Sequence, residues 1–151
     1  MRPDRDAGAW GSVDKVSRMS QSSPPSAMGF DGLLGLELLE VSAERARGRV
    51  AVREELKQPA GLVHGGVYAA IAESLASMAT YLAVREEGRV AMGLSNQTSF
   101  LRPVTRGTIH AEARRKHAGR STWVWEVEIG DDEGRLCVLT RMTIAVRDLS
   151  E

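Results

Sequence analysis

Between Gly66 and Arg85 the chain carries its one long helical pattern, and the segments on either side read as strands. Val67, Ile71, Leu75, Met78 and Leu82 fall on one stripe at helical spacing, which should face a core. The charged turn Arg85-Glu86-Glu87 followed by Gly88 supplies a stop. Before the helix, LGLELLEVS and ARGRVAVRE look like two strands meeting near Ala43 to Arg47, with Val50 and Val52 alternating against Arg49, Ala51 and Arg53. After it come VAMGLSNQTSFL, GTIHAEARRKHAG, STWVWEVEIGD and RLCVLTRMTIAVR, separated by Arg102-Pro103, Ala118-Gly119 and the acidic turn Asp131 to Gly134. The order β-β-α-β-β-β-β is α+β. One helix cannot cover such a sheet unless the sheet curls round it. The expectation is an antiparallel sheet of about six strands wrapped around one long central helix.

Length and charge bound the rest. A chain of 151 residues is long enough for a single well-buried domain. Residues 1–27, rich in Gly, Ser, Pro and charge, read as a flexible tail in which Trp10 is the one side chain suited to dock. The domain is assigned to 28–151. With 20 basic and 20 acidic residues the chain offers no overall field for nucleic acid or anionic lipid. Its one cysteine, Cys137, permits no internal disulfide, which suits a reducing cytoplasm. No apolar run approaches the roughly 18 residues of a membrane span, and the N-terminal residues are too polar for a signal peptide.

The stretch GLVHGGVYAAIAESLASMAT holds a single formal charge, Glu73. At 100° per residue Glu73 lies away from the bulky stripe, near Ala69, Ala76, Ser77 and Thr80. Small residues there would let a second subunit approach or frame a pocket, and a carboxylate so placed would be partly desolvated, which is costly without a role. The alternative is a glutamate that reaches solvent or pairs with an arginine. Gly65 and Gly66 open the helix, where unpaired N–H groups and the macrodipole favour negative charge and the missing Cβ lets an oxygen approach. That combination suits an oxyanion hole. Eight residues separate Gly65 from Glu73, about 12 Å along a helix axis. A base or nucleophile works at roughly 3–3.5 Å. If both serve one carbonyl, they must come from two chains, so catalysis would require a homodimer.

Ser77, one turn beyond Glu73, is placed to orient the carboxylate or a water, or else to satisfy a backbone carbonyl. Gln58 lies in the loop before Gly65 and is able to hydrogen-bond an acyl carbonyl, although loop glutamines are usually solvated. His64 is read as a cap or pocket residue rather than a base. The histidines show no HxxxH or HxH spacing and Cys137 has no cysteine partner, so no metal site is expected. Nor is there a Gly-rich nucleotide loop or a serine-hydrolase elbow.

GLVHGGVYAAIAE, SNQTSFLRPV and HAGRSTWVWEVEIGDDEGRLC resemble the hotdog-fold acyl-CoA thioesterases over roughly residues 30–147. The resemblance is closest to the 4-hydroxybenzoyl-CoA thioesterases whose catalytic carboxylate is a helix glutamate. Phenylacetate-pathway thioesterases, usually with an aspartate there, are similar. It implies a sheet wrapped around a central helix, dimers with a continuous double sheet and shared active sites, and pairing into tetramers. It implies no cofactor beyond the coenzyme A of the substrate. Glu73 matches the carboxylate that attacks the thioester or activates water, and Gly65 the N–H that polarises the carbonyl. Gln58 matches a loop amide near the reacting centre, His64 a pocket residue near the acyl ring, and Gly66 the second glycine of that motif. Ser77 stands where glutamate-type relatives carry a threonine.

Arg102 matches a residue that contacts the coenzyme's phosphates, and Arg120 and Ser121 lie at a turn lining the nucleotide groove, with Arg120 replacing a small hydroxyl residue. The relatives' arginine near position 150 is missing, so its role is lost or falls to Arg147 or Arg120. Arg102, Arg106, Arg114, Arg115, Lys116 and Arg120 also form a basic set suited to a phosphorylated nucleotide, or else a row of solvated edge charges. The expected activity is hydrolysis of an aryl-CoA, with phenylacetyl- or medium-chain acyl-CoA as alternatives. A hotdog enoyl-CoA hydratase and a non-catalytic acyl-CoA-binding module are the rivals.

Overall fold

A computed structural model describes residues 29–148. The expected tail at 1–27, with Trp10, and the last three residues lie outside them. A short helix α1 (Gly29–Leu34) precedes strands β1 (Glu37–Val41) and β2 (Arg45–Ala51). The long helix α2 (Gly65–Val84) follows, then β3 (Arg89–Phe100), β4 (Thr108–Ala118), β5 (Thr122–Gly130) and β6 (Leu136–Asp148). Strand bounds track the alternating segments of the sequence, and α2 differs from the expected helix by one residue at each end. Gly88, at φ 73°, ends the short 3-10 turn Arg85–Glu87 that closes it. The helix α1 was not foreseen: six residues carry too little periodicity to read, and α1 is held by the Ser74 hydroxyl donating to the Asp31 carboxylate at 2.6 Å.

All six strands form one antiparallel sheet in the order β1-β2-β4-β5-β6-β3, and α2 touches every strand. This is the hotdog arrangement: a single helix satisfies a sheet of this width only from inside its curve. The consequence for any site is that β3, though it follows α2 directly, lies at the sheet edge with β6 as its one neighbour.

The helix face differs from the expected one. Val67, Ile71 and Leu75 are buried, but Met78 and Leu82 are only half-buried. Ala76 and Thr80, placed with Glu73 on the sequence wheel, are fully buried instead. The reason is Trp125: its indole N–H donates to the Thr80 hydroxyl at 2.9 Å, and that hydroxyl donates to the Ala76 carbonyl at 2.8 Å. A large ring from β5 needs small partners, so small residues mark core here. By length and composition alone the helix is apolar enough to span a membrane, with a mean hydropathy of 1.4 over an 18-residue window within Gly65–Glu87. Half of that window is buried inside the fold, so its apolarity serves the sheet.

Candidate active site

His64 caps α2: its Nδ1 accepts the N–H of Gly66 at 3.0 Å, and its carbonyl accepts the N–H of Val67 at 2.9 Å. Nδ1 must therefore be unprotonated in the cap. Two of the first-turn donors are thus occupied, Gly66's among them. The Gly65 N–H has no acceptor among the described residues, which leaves it as the donor a ligand oxygen would meet. The loop that presents it is held by Gln58, whose N–H donates to Leu62 O and whose carbonyl accepts from Gly61, both at 2.9 Å. The bridge between Lys57 and Val63 closes its base. An exposed Phe100 ring lies against Gly65, so that a Cβ there would fall 2.8 Å from the ring. A side chain at position 65 would therefore have to displace the tip of that ring.

Glu73 lies two turns further along α2 and is exposed in the protomer, with no hydrogen bond or ion pair to it among the described residues. The partial desolvation expected of it is therefore not produced within one chain. Its carboxylate rests on β3: a Cβ on Gly93 would fall 3.0 Å from Oε1. Ser77 is half-buried one turn on, and no hydrogen bond joins it to Glu73. Asn96, from β3, donates to the Ala69 carbonyl at 2.9 Å. It accepts from Thr98 at 2.7 Å, and Thr98 meets the Thr140 hydroxyl of β6 at 2.9 Å. This chain of side chains ties the edge strand to α2 one turn before Glu73.

A β-bulge sets which β3 residues face the helix. Phe100, Thr98 and Asn96 oppose Val138, Thr140 and Met142, all buried on the inner face. The register then shifts between Gly93 and Ser95, so Gly93 opposes Ile144 and Ala91 opposes Val146. Gly93 and Phe100 are seven residues apart and would point to opposite faces of a regular strand; the extra residue, Leu94, puts both on the inner face.

The arginines do not gather. Arg102 follows β3 beside Phe100, whereas Arg120 and Ser121 sit in the turn between β4 and β5, at the Arg89 end of β3. The strand between is twelve residues long, which puts the ends roughly 35 Å apart. The Arg89 guanidinium donates to the Arg120 carbonyl and that of Arg147 to the Ser121 carbonyl, the latter at 2.9 Å. Arg114 pairs with the buried Glu112, Arg115 with Glu44 at 3.6 Å, and Lys116 with Glu126 at 2.9 Å. Those three belong to the ion pairs of the sheet. The basic set of the sequence thus divides, because a run of like charges says nothing of the carboxylates that register brings opposite it.

The thioesterase superfamily model matches residues 60–138, from the loop before α2 into β6. The chain belongs to the thioesterase superfamily. The proofreading thioesterase EntH of Klebsiella pneumoniae subsp. pneumoniae is 37% identical over 113 residues, covering 75% of this chain and 82% of EntH. A mutant of thioesterase PA1618 from Pseudomonas aeruginosa superposes with a TM-score of 0.75 at 36% identity, over 78% of this chain and 85% of that one. Thioesterase HI1161 from Haemophilus influenzae gives 0.73 at 36%, over 78% and 82%. The chain is accordingly a hydrolase of thioester bonds.

Other nucleophiles in the thioesterase are poorly disposed. Burial raises the Cys137 thiol above its usual range, and its Sγ donates to the Arg135 carbonyl at 3.2 Å. Burial likewise pushes the Tyr68 hydroxyl up to about 12, so it stays a neutral phenol. His110 is engaged with Asp132 at 2.8 Å, at the turn before β6. Among the described residues no three His, Cys, Asp or Glu side chains converge as a metal site. Two residues the sequence reading passed over lie against the candidate residues, Gly93 against Glu73 and Phe100 against Gly65. A glycine inside a strand is itself a signal of a bulge or a close approach.

Proposed function

We propose that the enzyme hydrolyses acyl-CoA thioesters, aryl-CoA by preference, at a site built from two chains. The observation that carries this reading is the division of one α2 into two half-sites: the unoccupied Gly65 N–H at its start and the unpaired Glu73 carboxylate two turns on. A thioester oxygen held at Gly65 would carry the charge of the tetrahedral intermediate at the positive end of α2. Glu73 would either attack the carbonyl carbon, expelling the CoA thiolate and leaving a mixed anhydride that water opens, or take a proton from a water that attacks instead.

The edge strand supports the two-chain reading. From Val90 to Leu101, along β3 and the residue after it, the chain carries no charge, and Met92, Leu94, Phe100 and Leu101 are all more than half exposed. Long uncharged edges are otherwise guarded against pairing. Antiparallel pairing with a second β3, about a twofold axis between Asn96 and Gln97, sets Gly93 opposite the partner's Phe100 at a Cα separation of about 4.5–5.5 Å. Both residues face the helices by virtue of the bulge, so Glu73 and the partner's Gly65 would flank one gap. The same register sets Arg102 opposite the partner's Ala91, two residues from the partner's Arg89 and its attached Arg120 turn. One register therefore reunites both the catalytic pair and the phosphate-binding arginines. Pairing of such dimers would give the tetramer.

Glu73→Ala is expected to abolish hydrolysis while CoA-ester binding persists. Retention of more than about a tenth of kcat would sink the assignment, since loss of a base or nucleophile costs at least 10²-fold. Solvent-oxygen labelling in a single turnover separates the routes, because label enters Glu73 first only by the anhydride. A second reading is favoured by the likeness to a proofreading thioesterase: clearance of unwanted thioesters across many acyl groups. Benzoyl-, hydroxybenzoyl-, phenylacetyl- and straight-chain CoA esters decide between them. A preference of tenfold or more for aryl esters supports the first reading, and a flat kcat/KM across the panel supports the second.

A further inference from the structure

We infer that Gly93 and the bulge at Leu94 together are the positioning element for the Glu73 carboxylate. This rests on the reading of Glu73 as the catalytic carboxylate, and it assigns a role to a residue outside the helix. A glycine within a strand gives up packing and backbone entropy, so its presence needs a local reason. Here the reason is the carboxylate. A Cβ at position 93 would stand 3.0 Å from Oε1, 3.4 Å from Cδ and 3.8 Å from Cγ of Glu73. The side chain thus lies along the bare backbone of β3. The bulge is the other half of the device, because in a regular strand position 93 would turn its Cα hydrogens to the outer face.

Asn96 completes the support. Its bond to the Ala69 carbonyl fixes the separation of β3 from α2 one turn before Glu73, so the strand cannot retreat to make room for a side chain. A methyl group at 93 must therefore move the carboxylate by a few tenths of an ångström or rotate it away. Misplacement on the scale of 1 Å costs about 10²-fold in rate when the reacting geometry is otherwise set. Within the protomer an added Cβ at position 93 meets Glu73 alone, and in the paired register it points at that carboxylate rather than along the strand-to-strand hydrogen bonds, so the effect should fall on rate and not on the fold or the dimer.

The test uses the full-length enzyme with an aryl-CoA ester. Gly93→Ala should lower kcat about tenfold or more with KM within about twofold of wild type, at unchanged melting temperature and unchanged oligomeric state. Glu73→Asp shortens the side chain by one methylene and clears the added methyl. The Gly93→Ala/Glu73→Asp double variant should therefore be faster than the product of the two single effects requires. Wild-type kcat in Gly93→Ala, strictly multiplicative effects in the double variant, or loss of the fold or of the dimer on Gly93→Ala would each overturn the inference. The two readings fail separately. An active Glu73→Ala removes Glu73 itself from the chemistry, whereas an inactive Glu73→Ala beside a fully active Gly93→Ala removes only Gly93.

Discussion

Gly65→Pro and Glu73→Ala, each inactive by itself, should restore activity to one another when their subunits are mixed. The first change removes the N–H proposed to polarise the carbonyl, with little other damage. Gly65 is the first residue of α2, where proline is well tolerated, and His64 before it is already extended at φ −65° and ψ 134°. The new side chain would meet only the tip of the Phe100 ring, which is exposed in the protomer, so a small shift of that ring relieves the contact. Loss of one such donor costs about 10²–10³ in kcat. The second change removes the carboxylate. A carbonyl held about 3 Å from each group spans at most about 7 Å, whereas the two residues stand about 12 Å apart along one helix axis, with the carboxylate resting on Gly93 and Gly65 beside Phe100 at the far end of β3.

In a mixed dimer one site combines the intact Glu73 of the proline chain with the intact Gly65 of the alanine chain, and the other site has neither. Equal amounts give half mixed dimers, each with one live site of two, so about a quarter of wild-type activity per site should return. The assay is steady-state hydrolysis after co-expression or co-refolding, with the mixed dimer counted by native mass spectrometry. Mixed dimers present at the statistical fraction, with no activity above the parents' residue, would refute the argument that the site spans two chains.

Three further outcomes follow from the hydrogen bonds. His64→Ala should cost about 0.5–2 kcal/mol by removing the cap on α2, and His64→Asn should keep most of it, both read by chemical denaturation. Thr80→Val leaves the buried Trp125 N–H without an acceptor and should cost about 1–3 kcal/mol, while Thr80→Ser, which keeps the hydroxyl, should cost less. The hydrogen bond from His110 lowers the Asp132 carboxyl below its ordinary 3.8, with a backbone bond from Thr108 adding to it. A lowered acid stabilises the fold above its ordinary pKa and stops doing so as pH falls through the folded value. The stability difference between wild type and Asp132→Asn should therefore hold from neutral pH to about 4 and close below it.

The sequence carried the element order because strand alternation and helical spacing are local. It did not carry the strand order, since nothing in VAMGLSNQTSFL states that its neighbour is the distant RLCVLTRMTIAVR. Glu73 and Gly65 were legible as an unusual charge and an unusual pair of glycines, and their separation followed from helix geometry alone. The wheel failed at Ala76 and Thr80 because it weighs side chains by bulk, while the Trp125 ring that fills the space beside them comes from another element. Arg102 and Arg120 looked like one set because both are basic and flank the same strands; their separation appears only once β3 is seen to run from one end of the sheet to the other.

The position of β3 also bears on how the chain is made. Its one neighbour within the chain begins at Leu136, well after Phe100 ends the strand. At ribosomal rates of 5–20 residues per second, β3 waits roughly 2–7 s for β6 to emerge. Until then the strand, uncharged beyond Arg89, has neither its sheet nor a second subunit, and α2 lacks its contacts with β6. A pause in translation between β3 and β6 would lengthen that interval, and with it the time during which the chain is most open to aggregation.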